Sequence, residues 1–377
     1  MFFESLLGLD FTLNLLLCII YGLLQSGVGL PTAHALPFLA SAAMLSALPA
    51  QPQAYVLWAM SVLGLYLFRG FFATVFLLVG FVANLYAMGS CNALAIYICF
   101  ELQSLCLVVL AKISGPRGAK AFVLRAALKY LLFSVVAGSV LLFYVSTEFA
   151  HSGQLESSAL PVYFFLMFKM GIAPFHMYML ELFTAVPRAL VFVFTTVPKF
   201  SVVVLLSSLQ IDGGLLAFAL SSMAVGSLSA YQSVFLRHLV LYSSVTEMGL
   251  TLGALLQGFT SAALLSLVLY FLGTLMLWNS DLSPAVAIAT LSVAGLPPLA
   301  GFFGKAQLIS AVIEGGAGHT VGILLVAQSL AFVGYLRLVR LFCLQGVAHL
   351  GRSTSSGLLS ALPALLFCAG PYLGKPF

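Results

Sequence analysis

Charged side chains within long apolar stretches are the residues of this chain best suited to chemistry. Lys169 lies in FFLMFKMGIAPFHMY, Lys199 in TTVPKFSVVVLL and Lys305 in GLPPLAGFFGKAQLI. Glu101 and Glu247 interrupt two further apolar stretches, YICFELQSL and YSSVTEMGLTL. A charged group at the centre of a membrane-spanning helix costs roughly 2.5–3.5 kcal/mol. Because each buried charge is costly, the presence of several indicates that they serve a function. Lysines beside carboxylates indicate proton movement.

The stretch around Lys169 predicts a broken helix. Lys169 lies far from either end of its apolar stretch, which favours a functional role over the alternative, a lysine snorkelling to the interface. Pro174 removes a backbone hydrogen bond, and interrupted backbone at membrane depth is tolerated where it lines an enclosed or wet cavity. His176 follows two turns after Lys169 if the helix stays regular. It is either a proton relay or a buried histidine with ordinary hydrogen bonds.

Two further lysines accompany prolines. Lys199 comes directly after a proline in the middle of its apolar stretch. Lys305 follows Pro297 and Pro298, and this double proline, flanked by glycines, cannot continue one straight helix. The pattern therefore predicts a second broken helix that carries a lysine. Lys129, in LRAALKYLLF, lies nearer the end of its stretch, so snorkelling and function are both open there.

The buried carboxylates are suited to control the lysines. An isolated Glu101 would take up a proton, whereas beside a lysine it can stay ionised. A Glu101–Lys169 pair would partly offset the desolvation of both charges. Making or breaking that pair changes how tightly the lysine holds its proton, as a proton carrier requires. Glu247 is the second buried carboxylate, and no arrangement of serine, histidine and acid indicates covalent catalysis.

The composition is that of a protein dissolved in lipid. Of 377 residues, 62% are hydrophobic and 7% are charged, whereas soluble domains carry about a quarter charged residues. The six cysteines form no CxxC pair and no zinc-binding spacing, and no GxGxxG or phosphate-loop motif occurs. No stretch is basic enough to bind nucleic acid. We therefore expect no metal and no cofactor in this chain.

Apolar segments long enough to cross the hydrocarbon core predict an all-α polytopic membrane protein with about 14 transmembrane helices. The segments are 11–30, 34–50, 54–68, 70–88, 91–113, 124–147, 160–180, 189–209, 213–232, 238–257, 259–278, 284–312, 320–343 and 357–373. The loops between them are short, so no soluble domain is expected between the helices.

The basic residues support this arrangement. With the N-terminus outside, nearly all loop lysines and arginines fall inside, as the positive-inside rule requires, and Lys375 is outside. The inside group comprises Arg69, Lys112, Arg117, Lys120, Arg125, Arg188, Arg237, Arg337, Arg340 and Arg352. The N-terminal MFFESLLGLD has no basic residue, unlike a signal or transit peptide. We expect insertion where the chain is translated, in a bacterium or by an organelle's own ribosomes.

The motifs around these residues resemble the antiporter-like subunit N family of proton-pumping NADH:quinone oxidoreductase, respiratory complex I, whose mitochondrial member is called subunit 2. The matching motifs occur in the family's order: FELQSL, ALKYLLF, FKMGIAPFH, TTVPKF, RHLVLYSSVTEMG and LSVAGLPPLAGFFGK. The resemblance covers about residues 95–310, and the flanking parts agree in hydropathy only. It implies the antiporter-like fold, with two inverted five-helix repeats and broken helices 7 and 12.

The resemblance also implies a division of one integral-membrane domain, 1–377, into four parts. These are N-terminal helices (1–88), a first half-channel region (89–232), a second half-channel region (233–343) and a C-terminal helix (344–377).

The resemblance further implies roles for the buried residues. Glu101 matches the family's carboxylate that pairs with the lysine of the broken seventh helix, here Lys169. Lys199 matches a lysine of the central hydrophilic axis, and Lys305 matches the lysine of the broken twelfth helix, which is linked to proton exit. The remaining matches are a sixth-helix lysine and a histidine near the central path, Lys129 and His176.

Two positions depart from the family pattern. Glu247 stands where the family commonly has a histidine, so Glu247 is a candidate relay residue of its own. Arg125 stands where the family commonly has a glutamate.

Lys305 favours subunit N over its sister subunit M, which has a glutamate at that position. The chain is also shorter than typical bacterial members.

The function implied is that of a proton-translocating membrane-arm subunit of NADH:ubiquinone oxidoreductase, a non-redox subunit of a translocase. NADH, FMN, iron–sulfur clusters and ubiquinone would belong to other subunits. Its expected partners are the subunit M and subunit K homologues and membrane lipids. The expected location is the mitochondrial inner membrane, with the bacterial plasma membrane as the alternative. A subunit of a multi-subunit sodium/proton antiporter shares these motifs and is the alternative function, and a purely structural membrane subunit is a third.

Overall fold

The computed structural model describes residues 53–54, 56–57, 71–90, 92–115, 120–152, 160–209, 213–279, 284–297, 299–315 and 318–346. The regular secondary structure of this part of the chain is helical. The α-helices are α1 (Phe71–Gly89), α2 (Ala93–Ser114), α3 (Lys120–Ser152), α4 (Leu160–Met170), α5 (Met177–Ala185), α6 (Arg188–Ser208), α7 (Leu216–Gln232), α8 (Leu236–Leu256), α9 (Thr260–Asn279), α10 (Pro284–Ala294), α11 (Ala300–Glu314) and α12 (Gly318–Gly346). A short 3₁₀ helix, Gly213–Leu215, precedes α7.

The helices coincide with the predicted apolar segments. Each segment from 70–88 to 320–343 corresponds to one helix or to a pair of helices. Within the described residues, seven helices are long and apolar enough to cross a membrane. The predicted segments 11–30, 34–50 and 357–373, and most of 54–68, lie outside the described residues. The count of about fourteen therefore stays a prediction.

The first predicted broken helix is interrupted between α4 and α5. Gly171 has a φ of 70°, a left-handed conformation that glycine adopts without the steric cost of a Cβ. Pro174 lies within the interruption, and the Ala173–Pro174 peptide bond is cis. The Phe175 N–H donates to the Ile172 carbonyl at 2.7 Å, so the intervening residues form a turn. The helix therefore stops directly after Lys169 and Met170.

The second predicted broken helix is interrupted between α10 and α11. Gly295 has a φ of 90° and donates to the Ser292 carbonyl at 3.1 Å, while Leu296 donates to the Leu291 carbonyl at 3.1 Å. This pair of bonds is the Schellman motif that ends many helices at a glycine. Pro297 lies in the interruption, and Pro298 lies outside the described residues.

The chain forms two compact units. One comprises the chain up to Met170 together with Ala185–Leu209; the other comprises Gly171–Thr184 and the chain from Gln210 onward. In the first unit α1 packs on α2, α2 on α3, α3 on α4, and α6 on α1, α2 and α4. In the second unit α7 packs on α8 and α12, and α9 packs on α10 and α11.

The helices differ in how much of their surface the protein covers. Helix α6 is buried along almost its whole length. Helix α3, in contrast, exposes Leu132, Phe133 and Phe143. An apolar helix with an exposed apolar face is expected where the neighbour is lipid rather than water. Within the first unit, α6 is therefore a covered helix, and α3 has an exposed apolar face that suits contact with lipid.

Helices α7 and α8 approach each other closely at Gly226. A Cβ at this position would lie 2.9 Å from both the Thr246 nitrogen and the Tyr242 carbonyl oxygen. We expect Gly226→Ala to push the two backbones apart and to destabilise the protein by about 1–3 kcal/mol. The measurement is the fraction that remains monodisperse in detergent after heating.

Gly322→Ala is the matched control, because it also replaces a helical glycine, and a Cβ there meets nothing within 4 Å. Equal heat resistance of the Gly226→Ala variant and the control would contradict the close packing of α7 on α8.

Candidate functional site

A buried ion pair joins α2 and α4 within the first unit. The Nζ atom of Lys169 lies 3.2 Å from Oε1 of Glu101, and the two side chains are 2% and 13% exposed. The Phe165 ring lies beneath the ammonium, with its centroid 5.2 Å from Nζ. A charged side chain buried to this extent needs a partner of opposite charge and hydrogen bonds, and here it has both.

Ser134, on α3, connects the two charges. Lys169 Nζ donates to Ser134 Oγ at 2.6 Å, and Ser134 Oγ donates to Glu101 Oε1 at 2.8 Å. Ser104 Oγ donates to the second carboxylate oxygen at 3.2 Å. The ammonium thus reaches the carboxylate both directly and through a hydroxyl group, which can accept one proton while it releases another. Nothing in the sequence distinguishes Ser134 from the other serines in apolar stretches.

The helix break stabilises the charge of Lys169. This residue lies in the last turn of α4, whose final carbonyl groups have no helical N–H partners. A cation at a helix C-terminus is favoured by about 0.3–1 kcal/mol, and by up to ~2 kcal/mol in partly buried sites. The glycine and proline that end α4 therefore help to hold an ammonium in an apolar environment.

A second ion pair joins α8 and α11 within the second unit. The Nζ atom of Lys305 lies 2.9 Å from Oε1 of Glu247, with side chains 15% and 4% exposed. Lys305 Nζ also donates to Oε1 of Gln328 on α12 at 2.9 Å and to the Ala294 carbonyl at 3.4 Å. The sequence identified both charged residues, but it did not predict that they contact each other.

The two lysines lie on opposite sides of their helix breaks in the sequence. Lys169 precedes its break and lies on the helix that ends there. Lys305 follows its break, and it reaches back to the Ala294 carbonyl at the C-terminal end of the preceding helix. In both pairs the ammonium lies beside the negative end of a helix dipole that a break has created.

The other predicted site residues are not members of either ion pair. Lys199 is completely buried on α6, and Lys129 is half-buried on α3. His176 is buried, with its ring 6.1 Å from that of Tyr242, and its Nδ1 has no hydrogen-bond partner among the described residues. Because the helix is interrupted before His176, the regular two-turn spacing from Lys169 does not apply.

The chemistry that this arrangement allows is proton transfer. Ammonium, carboxylate and hydroxyl groups lie within hydrogen-bond distance, and each can release or accept a proton. Among the described residues no group of three or more His, Cys, Asp and Glu side chains is placed to bind a metal ion.

Fold and site together define a multi-pass helical membrane protein with interrupted helices that carry buried lysine–carboxylate pairs. The chain belongs to the transmembrane family described as NADH:quinone oxidoreductase/Mrp antiporter, whose sequence model matches residues 90–280.

Similar proteins include two relatives and one solved structure. NADH-ubiquinone oxidoreductase chain 2 of Chlamydomonas reinhardtii is 33% identical, with 99% of this chain and 100% of that protein covered. NADH-quinone oxidoreductase subunit N 1 of Acidiphilium cryptum is 28% identical over 66% of this chain and 63% of that protein. A chain of respiratory complex I from Thermus thermophilus, solved with bound aureothin, superposes with a TM-score of 0.80 at 21% identity, covering 96% of each chain. The predicted antiporter-like fold class is confirmed.

We expect Ser134→Ala to destabilise the protein by about 1–3 kcal/mol, because the variant removes a hydrogen bond from each member of a buried ion pair. The measurement is the midpoint of thermal unfolding of the purified protein. Ser139→Ala is the matched control, since Ser139 lies on the same helix and its exposed hydroxyl donates only to the Val136 carbonyl of that helix. A midpoint that falls equally in both variants would contradict the bridging role of Ser134.

Proposed function

We propose that this chain is a proton-translocating membrane-arm subunit of an NADH:quinone oxidoreductase, equivalent to the chain 2 or subunit N of its relatives. The relative from Chlamydomonas reinhardtii, which carries that name and matches over the whole chain, supports the assignment. The single observation that carries the translocation role is the buried Glu101–Lys169 pair beside a helix break.

In the proposed mechanism the first pair works as a switch. Quinone reduction elsewhere in the complex changes the charge felt by the membrane arm, and the Glu101–Lys169 pair alternately forms and separates. The Glu101 carboxylate favours the ammonium form of Lys169, and withdrawing or neutralising that carboxylate favours release of the proton. Ser134 bonds both groups and allows the proton to move between them without a large rearrangement. Protons then pass by way of Lys199 toward Lys305.

The remaining site residues have supporting roles in this proposal. Glu247 is the carboxylate partner of Lys305, and Lys129 and His176 serve the approach to the central path. Pro174, Pro297 and Pro298 interrupt the helices that carry the switching lysines. The division of 1–377 into a first half-channel region at 89–232 and a second at 233–343 belongs to the same proposal.

The cofactors and partners follow from membership of the complex. NADH, FMN, iron–sulfur clusters and ubiquinone are assigned to other subunits, and this chain contributes only protein groups that move protons. We assign it to the mitochondrial inner membrane, next to the subunit M and subunit K homologues and in contact with lipids. The match to a chain named NADH-ubiquinone oxidoreductase chain 2 in a eukaryote supports this location over a bacterial plasma membrane.

A subunit of a multi-subunit sodium/proton antiporter is the second candidate function, because the matching family includes Mrp antiporters. Purification of the native assembly separates the two. Co-purification with flavin, iron–sulfur clusters and NADH:quinone activity supports the redox-driven pump. An assembly without these cofactors that exchanges sodium for protons would overturn it.

We expect Lys169→Ala to lower proton-coupled quinone reduction by about a hundredfold, the lower end of what a positioned proton-transfer group contributes. Assembly should survive, because the remaining Glu101 carboxyl keeps its hydrogen bonds from two serines. The measurement is NADH:quinone activity and proton uptake in sealed vesicles.

Lys112→Ala is the matched control, since Lys112 is exposed in the last turn of α2 and should be replaceable without loss. Full activity and pumping in Lys169→Ala vesicles would remove Lys169 from the pathway.

A further inference from the structure

A basic edge of the second unit lies where α7, α8 and α12 meet. The guanidinium group of Arg337, on α12, donates to the Tyr231 carbonyl at 3.3 Å and lies 5.5 Å from the centre of that tyrosine ring, at the end of α7. One turn earlier on α12, a Cβ at Gly334 would lie 3.0 Å from both the Ala230 carbonyl oxygen of α7 and a methyl carbon of Leu239 on α8. The three helices are therefore in close contact at this edge.

Two exposed arginines of the basic edge have no carboxylate partner among the described residues. Arg337 and Arg340 are both exposed and lie one turn apart on α12. Side chains three residues apart on a helix are neighbours on its surface, so both guanidinium groups can reach one ligand. A guanidinium group has five N–H donors, so Arg337 keeps donors beyond the one that bonds Tyr231. Two like charges this close favour an anion between them.

Two acidic residues of the second unit lie far from the basic edge. Glu247 is in the middle of α8 and is paired with Lys305. Glu314 is the last residue of α11, and the next residue, Gly315, adjoins Gln257 at the opposite end of α8. Helix α8 has 21 residues and is therefore about 30 Å long. Neither carboxylate can neutralise the two arginines.

The third described acidic residue of the second unit, Glu181, lies on α5, and a different arginine bonds that helix. Arg237, at the start of α8, donates to two carbonyl groups at the end of α5, at 2.7 and 3.1 Å. Arg337 and Arg340 therefore remain as the basic groups of this edge that are available to an external anion.

An apolar surface runs from the two arginines toward the middle of the helices. Leu228 lies one turn before Tyr231 on α7 and is exposed. Val333 and Val326 lie one and three turns before Arg337 on α12 and are exposed as well. A phosphate group beside arginines, with hydrocarbon next to it, is the arrangement of a membrane phospholipid. Free inorganic phosphate would use the arginines but not this surface.

We propose that Arg337 and Arg340 bind the phosphodiester group of an anionic phospholipid whose acyl chains lie along Leu228 and Val333. Guanidinium groups bind phosphate oxygens through pairs of parallel hydrogen bonds. Tyr231 has the amphipathic side chain that is typical of the membrane interface. The lipid is anionic, because the headgroup cation of a zwitterionic lipid would be repelled by two arginines.

The predicted topology agrees with this ligand. The positive-inside pattern predicts that Arg337 and Arg340 lie inside, where anionic headgroups attract basic residues and occupy basic pockets between spanning helices. A lipid in this position bridges α7 and α12 at their ends. The site contains none of the residues of the proposed proton pathway, so the inference goes beyond the proposed function and does not depend on it.

The first test measures lipid binding to the purified full-length chain in detergent by native mass spectrometry. Phosphatidylglycerol should bind more tightly than phosphatidylcholine. We expect Arg340→Ala to weaken phosphatidylglycerol binding about fivefold, and Arg337→Ala/Arg340→Ala about twenty-five-fold, because each arginine near an anionic headgroup contributes about a factor of five. Equal affinity of the wild type for the two lipids would overturn the proposal.

The matched control is Lys112→Ala/Lys120→Ala, which also removes two exposed basic residues that are predicted to lie inside. This variant should bind phosphatidylglycerol like the wild type. Because both double variants change the net charge by the same amount, an equal loss of binding in the two would show a general attraction to anionic lipid and would overturn the proposal.

The single variant Arg340→Ala keeps the test decisive if the double variant does not fold. Substitution of Arg337 also removes the hydrogen bond to the Tyr231 carbonyl, whereas Arg340→Ala removes no hydrogen bond to a described residue. Wild-type affinity for phosphatidylglycerol in Arg340→Ala would therefore contradict the site by itself.

The second test locates the ligand in a high-resolution map of the intact complex. A phosphate group should lie between Arg337 and Arg340, with hydrocarbon density continuing along α7 and α12. A carboxylate-bearing segment of a neighbouring subunit in that place would show that the arginines bind protein and would refute the lipid site. Normal pumping in Lys169→Ala would refute the proposed function and leave this site unaffected.

Discussion

An ammonium group in an apolar environment needs a negative partner, and this requirement accounts for the features of the chain that are unusual for a membrane protein. A regular helix satisfies its own backbone groups and offers nothing to a buried lysine. An interrupted helix leaves carbonyl groups without N–H partners, and its C-terminal end carries partial negative charge. Lys169 and Lys305 both lie beside such an end, and each has a carboxylate within 3.2 Å. The glycines and prolines of the two breaks are thus part of the charge compensation.

The two pairs satisfy that requirement to different degrees. The Lys169–Glu101 pair is closed: a serine bonds both members, a second serine bonds the carboxylate, and an aromatic ring covers the ammonium. The Lys305–Glu247 pair is more open, with a lysine side chain that is 15% exposed and a cavity beside it. The two pairs thus differ in how many groups bond to the charged members and in how much space lies beside them.

The helices and their breaks could be predicted because both leave strong local signals. Apolar runs set the helix positions, and Pro174, Pro297 and the glycines near them marked the breaks. The contact between Glu247 and Lys305 could not be predicted in the same way. Helices that are apolar on all sides carry no periodic pattern that shows which face meets which neighbour. For the same reason the Glu101–Lys169 pair followed from the resemblance and from the cost of unpaired charge, not from the spacing of residues along the chain.

Uncharged polar partners are harder still to find from sequence, but their hydrogen bonds identify them in the structure. Serines in apolar helices commonly donate to a carbonyl three or four residues earlier, as Ser139, Ser243 and Ser266 do. The hydroxyl group of such a serine is already hydrogen-bonded within its own helix, so it does not indicate a functional role. Ser134 instead donates across to Glu101, and Ser292 has a buried hydroxyl with no partner among the described residues. Each of these two departures lies next to a lysine–carboxylate pair. Among the described residues, these two serines are therefore distinguished by their hydrogen bonding and not by their position in the sequence.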